Sequence, residues 1–194
     1  IQQVLHRLGP HPASPADLTA LRRELQGIRH RLYGEEELGR LIVAVTEIQA
    51  AHGTLGAYFG QAFDAARGDL RRALGTLVGT LRSVSGLAQM SSRGARHLLP
   101  DPEATSGCKR LLLFLRWMVR GPDGVDLGLF ARHGIPKSAL LVPLDVHVHR
   151  LAYNLGLTQR TQCTWSAAVE VTGHLARFDP DDPVKYDFAL FGMG

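Results

Sequence analysis

Apolar residues recur at three- and four-residue intervals through most of the chain. Residues 35–51 carry Leu38, Leu41, Ile42, Val45 and Ile48, the spacing of a helix with one buried face. The same reading predicts helices over 54–63 and 69–84, the second with Leu70, Leu74, Leu77 and Leu81 on one stripe. An earlier helix is predicted over 18–28, after the proline-rich stretch 10–15. Residues 97–107 read as a loop, because Pro100-Asp101-Pro102 and Ser106-Gly107 interrupt the period. Beyond it, helices are predicted over 106–120 with Ser106 as N-cap, over 145–155, over 164–178 capped by Thr164, and over 182–191. Period-2 alternation is nearly missing, so the fold class is all-α, built from about eight to ten short helices.

On a helical wheel the 106–120 segment gathers Leu111, Leu112, Leu115, Met118 and Val119 on one side. Lys109, Arg116 and Arg120 fall on nearly the opposite side. The expectation is one buried stripe and one solvated basic stripe. Trp117 and Tyr153 are expected to pack in the core or at its rim. The segment Lys185-Tyr186-Asp187 reads either as cleft lining or as a solvated helix start.

Composition narrows the picture. With 194 residues and 45% hydrophobic content the chain can bury a sizeable core. A formal charge of +4 suits a polyanionic partner. Cys108 and Cys163 are the only cysteines; they make no CxxC pair, zinc cluster or four-cysteine iron–sulfur site, and a reducing cytoplasm is the expected compartment. No apolar run has the length of a membrane span. The chain opens on Ile1 and stops at Gly194 within a helical pattern, as a piece of a longer protein would.

Lysine usage supplies the first chemical lead. Of 22 basic residues only Lys109, Lys137 and Lys185 are lysines. An ammonium can become a neutral amine nucleophile, whereas a guanidinium stays charged. Lys109 opens an apolar helix, and Asp145 opens another 36 positions later. An amine can attack a sugar carbon, and a carboxylate can steady the cation that develops there. The bland alternative is a solvated lysine and an N-cap aspartate. Asp145-x-His147-x-His149, with His133, also resembles a metal-ligand string. Residues two apart on a helix point about 200° away from each other, which sets His147 and His149 on opposite sides.

The stretch Val142-Pro143-Leu144-Asp145-Val146-His147 resembles the V-P-V-D-V-H or V-D-T-H signature of the helix-hairpin-helix DNA glycosylases, the superfamily of endonuclease III and the 8-oxoguanine glycosylases. Residues 109–120 (KRLLLFLRWMVR), 143–157 (PLDVHVHRLAYNLGL) and 178–194 (FDPDDPVKYDFALFGMG) resemble blocks of a mostly bacterial, uncharacterised family placed near that superfamily. The resemblance implies a two-lobed helical glycosylase-like domain over 1–194, with an N-terminal lobe over 1–98 and the Lys/Asp region over 99–194. Its hairpin is modified or missing: Leu99–Gly107 stands where L-P-G-V-G would precede the lysine.

The resemblance also implies a function. The protein would be a monomeric base-excision glycosylase and abasic-site lyase acting on a damaged base such as 8-oxoguanine. Lys109 would form a Schiff base and Asp145 would assist it. Arg110, Arg116, Arg120 and His147 would contact DNA, duplex or single-stranded. No cofactor, metal or membrane is implied, and the location is cytoplasmic, at the nucleoid when DNA is bound. The rivals are a non-catalytic nucleic-acid-binding module of the same fold and a metal-dependent hydrolase built on Asp145, His147 and His133.

Overall fold

The computed structural model describes Leu21, residues 23–104 and residues 106–193. Among them are eight α-helices: α1 (Glu35–His52), α2 (Leu55–Ala65), α3 (Leu70–Val84), α4 (Arg93–Leu98), α5 (Lys109–Val119), α6 (Val146–Asn154), α7 (Trp165–Leu175) and α8 (Asp187–Met193). No strand occurs among these residues, only an isolated bridge between His30 and Tyr33. The fold is all-α, and no helix among the described residues is long and apolar enough to cross a membrane. The predicted helix over 18–28 falls partly, and the proline-rich stretch 10–15 wholly, outside the described residues.

The chain forms two compact units, Ile1–Tyr58 with Thr76–Pro100, and Phe59–Gly75 with Asp101–Gly194. The chain crosses between the units three times, and the third crossing, between Pro100 and Asp101, lies close to the 98/99 boundary of the sequence reading. The first two, within α2 and α3, have no counterpart in the sequence reading, because the apolar period runs through them without a break.

In the first unit, α1 packs against α4. Its start is fixed by Glu37, whose carboxylate accepts from the Gly34 backbone N–H at 2.9 Å and from the Ser92 hydroxyl at 2.8 Å. Tyr33 and His97 share a 2.7 Å hydrogen bond. Leu21 and Leu25 form a small buried cluster against Leu38, Ile42 and Val43.

In the second unit, α6 packs on α8, and α7 on the 3-10 turn Pro183–Tyr186. Thr164 caps α7, its hydroxyl accepting from the Ala167 N–H, as predicted. Gly60 on α2 is required by close approach: a Cβ there would lie 2.6 Å from the His133 carbonyl oxygen. The expected helix over 106–120 is shorter. It begins at Lys109, and Ser106 instead accepts from the Cys108 N–H at 3.2 Å. Cys108 takes the N-cap position in the left-handed region, with φ 48°, a conformation rare for a residue with a Cβ.

The expected solvated basic stripe on α5 is also corrected. Leu111, Leu112, Leu115 and Val119 are buried as predicted, but so is Arg116, at 0% exposure. Its guanidinium bonds Asp187 through Nη1 and lies 3.5 Å from Asp126 through Nη2. Arg120 is bound by Asp126 and by both carboxylate oxygens of Asp182, at 3.1 and 3.2 Å. Two carboxylate-bearing segments, 121–126 and 182–187, thus cover the face that the wheel assigns to water. The loop carrying Asp126 is also anchored by backbone bonds, Leu127 N–H to Trp117 O at 2.7 Å and Phe130 N–H to Met118 O at 2.6 Å.

Removing one member of such a buried network strands the others in a medium that solvates them poorly. Arg116→Leu is expected to destabilise the protein by about 3–5 kcal/mol, read from urea unfolding midpoints. Asp123→Ala, at the exposed edge of the same network, is expected to lower the midpoint far less, since it loses solvent-facing bonds from the Val125 and Asp126 N–H groups. An Arg116→Leu protein as stable as the parent would refute the network's structural role.

Candidate functional site

Two loops present the Lys/Asp pair. The first, residues 99–108, is clamped by Arg71 of α3, which donates to the Pro102 carbonyl at 2.8 Å and the Ala104 carbonyl at 3.2 Å. Within it the Glu103 N–H is taken by the Asp101 side chain and the Ala104 N–H by the Asp101 carbonyl. Those amides are consumed inside the loop. The turn at Cys108 then lets its carbonyl accept from Leu111 and Leu112, which starts α5 with Lys109 as its first residue.

The second loop, 140–145, is tied to α7. The Val142 N–H donates to the Thr172 hydroxyl at 2.9 Å, and the Cys163 thiol faces the Leu144 carbonyl at 3.4 Å. Pro143 disfavours a helical backbone at Val142, and both lie outside any helix. Asp145 then caps α6, its Oδ1 accepting from the Val148 N–H at 2.8 Å. Gly107 rests against the Cys163 carbonyl, which a Cβ would meet at 3.3 Å. The Cys163–Thr164 turn therefore touches both presenting loops.

The outcome is a direct pair: Lys109 Nζ donates to Asp145 Oδ2 at 2.7 Å. Asp145 uses one oxygen to cap its helix and the other to hold the amine, so the bland N-cap reading and the chemical one describe the same residue. Burial pushes the Asp145 carboxyl up, but hydrogen bonds from Lys109 and the Val148 N–H outweigh it and hold the group below the usual carboxylate range. The side chains keep 39% and 22% exposure, so both are reachable by a ligand.

The pair opens into a cavity of about 210 Å³ within the second unit. Leu113, Val125, Pro143 and Val148 supply its apolar wall, while Lys109, Asp145, Arg116 and Asp187 supply its polar groups. Trp117, Phe188 and Phe191 also line it and remain 39%, 49% and 63% exposed, so its mouth is aromatic. Trp117 is accordingly a rim residue and Tyr153 is 47% exposed, outside the core. The Arg116 guanidinium lies 4.0 Å from the Phe188 ring centroid.

Other predicted residues divide. Arg110 and His147 are exposed. Arg116 and Arg120 leave the candidate phosphate contacts, since their guanidinium groups are engaged by Asp126, Asp182 and Asp187. The histidines of the metal string do not gather: His147 is exposed, His149 is buried with Nε2 3.0 Å from the Arg160 carbonyl, and His133 stands edge-on to Phe130. Among the described residues no group of three or more His, Cys, Asp or Glu is placed to hold a metal ion. The sequence reading missed Phe188, Phe191 and Val125; of the two readings left open for Lys185-Tyr186-Asp187, Asp187 follows the cleft-lining one, since it lines the cavity and is buried. One signal was present: the acidic run Asp179, Asp181, Asp182 and Asp187 is a natural counterpart to the arginines of α5.

The depressed Asp145 carboxyl fixes a pH dependence. Its ionised form is favoured by folding, so its contribution is present above the unfolded-state value and is lost as pH falls through the lower folded one. The pair is partly exposed, which limits the effect to about 1 kcal/mol or less. Thermal melts of the wild type and Asp145→Asn should differ near neutral pH and converge in acid; a constant difference would refute the assignment.

Compared with known proteins, the chain matches no curated protein and no solved structure. It does match a family model, that of a protein of unknown function (DUF2400), over residues 1–194. The matched range spans the whole chain, and the protein belongs to that family.

Proposed function

We propose that this protein is a DNA glycosylase with abasic-site lyase activity that uses Lys109 as an amine nucleophile. The observation that supports this reading is the 2.7 Å Lys109–Asp145 pair at an aromatic-mouthed cavity. A cavity of about 210 Å³ with apolar walls suits a planar base swung out of its stack, and the aromatic side chains offer stacking surfaces. Asp145 relays the proton of the Lys109 ammonium to water, which reaches the partly exposed pair, and the freed amine attacks the anomeric carbon. The Asp145 carboxylate, held ionised by the Val148 N–H, then steadies the cationic sugar. Exposed Arg110 and His147 are the remaining candidates for phosphate contacts. The 99–108 loop spends its amides at 103 and 104 internally, so duplex anchoring by backbone N–H groups is not expected from those positions.

The deciding experiment is borohydride trapping on oligonucleotides carrying 8-oxoguanine, uracil or an abasic site, with Lys109→Gln alongside. A covalent adduct is expected with the wild type and none with the variant, while DNA affinity is retained. DNA affinity without any adduct would instead favour a binding module. Asp145→Asn is expected to slow base release on the order of 100-fold, with melting near neutral pH lowered only slightly because asparagine caps a helix as well as aspartate does. Wild-type rates in that variant would remove Asp145 from the chemistry.

A further inference from the structure

Asp187 is a carboxyl group in the same cavity that the mechanism above leaves unused. It is 6% exposed and lines the cavity together with Lys109 and Asp145. Its Oδ2 is taken by Arg116 Nη1, so Oδ1 is the oxygen available to a ligand. The surrounding charges do not balance. Arg116 and Arg120 face three enclosed carboxylates, Asp126, Asp182 and Asp187. Lys137 and Asp123 add one charge of each sign at the exposed edge. One excess negative charge in an enclosed cluster is relieved by binding a proton.

Of the three, Asp187 is the one that lines the cavity. It shares Arg116 with Asp126 and feels the negative charge of Asp145. Burial pushes its carboxyl up, with Asp145 adding to the effect and Arg116 and Lys109 opposing it. The charged groups facing it are Arg116 and Lys109 from α5 and Asp145 before α6. On the neighbouring elements Lys185 is bound to Asp179, His149 to the Arg160 carbonyl, and His147 is exposed.

We infer that Asp187 is the proton donor to the departing base, an inference that rests on the glycosylase reading. A base leaves poorly as an anion, and an acid poised in the cavity removes that barrier. The C1′–N bond breaks, its electron pair stays with the base, and the Asp187 proton moves to a ring nitrogen or oxygen of that base. The Lys109 amine, its own proton relayed through Asp145 to water, supplies the pair for the new C1′–Nζ bond, and Asp145 remains a carboxylate. The products are the neutral base, an ammonium adduct at C1′, and an Asp187 carboxylate beside Arg116, which water reprotonates.

Base release and trapping separate the roles, since an abasic site has no base to expel. Asp187→Asn should release 8-oxoguanine or uracil from oligonucleotides on the order of 100-fold more slowly and lose the wild-type fall in base release at high pH. Its trapping on a preformed abasic site should match the wild type, and Asp187→Glu should recover part of the base release. Base release as fast as wild type, or equal loss of both activities in a folded variant, would overturn the inference. Infrared spectroscopy of the wild type gives a check that survives misfolding of the variant. A buried carboxylic-acid band persisting well above the ordinary aspartate range is expected, and its absence would count against the donor. Intact abasic trapping with unimpaired Asp187→Asn base release sinks this inference alone. A wild type that traps nothing sinks the glycosylase reading together with it.

Discussion

The second unit is organised around a buried guanidinium. Arg116 sits in the middle of α5 with no solvent exposure, and an isolated charge there would cost several kcal/mol. Asp126 and Asp187 make its position tenable. They come from the loop after α5 and from the start of α8, two segments with no local reason to converge. The requirement to give one buried guanidinium its polar partners therefore docks both against the same helix. Arg120, one turn on, repeats the arrangement with Asp126 and Asp182. The compensation is incomplete: Nε and Nη2 of Arg116 and Oδ1 of Asp126 are buried without hydrogen-bond partners. Such a network favours one arrangement of the surrounding segments more than it adds raw stability.

That arrangement also shapes the cavity. Asp187 brings Phe188 and Phe191 of α8 to its mouth, and the Asp126 loop brings Val125. The Pro143 and Asp145 side is positioned by α7 and the turn before it: Thr172 and Cys163 hold the Asp145 loop, and the Cys163–Thr164 turn touches the Lys109 loop. An amine and a carboxylate 36 residues apart meet because a third element registers both loops. Lys109 needs no long reach, since it stands at the first position of its helix.

The left-handed Cys108 belongs to the same design. A regular N-cap would be extended; here the chain turns sharply just before the lysine, and Cys108 is 2% exposed. Non-glycine residues persist in that region of backbone space when their surroundings hold them there. Arg71, by clamping the Pro102 and Ala104 carbonyls, supplies part of that hold.

Much of the helix layout was legible in the sequence, because helix formation is local. The apolar period marked α1, α2 and α3 to within a residue or two, and threonine and aspartate before apolar runs marked the starts of α7 and α6. The short α4 was not legible, since its six residues RGARHL hold too few apolar positions to show a period. The lysine and aspartate were identifiable as types at helix starts, while their contact was a matter of tertiary distance. Arg116 shows the limit most clearly. A helical wheel gives the side of a helix on which a residue lies, but not what the chain later lays against that side. By itself the sequence determined most of the helices, the caps of α6 and α7, and the residue types suited to chemistry. Only the tertiary structure decided that a basic face would be buried under carboxylates, and that Lys109, Asp145 and Asp187 would share one cavity, because charge pairing and packing between distant segments have no periodic trace along the chain.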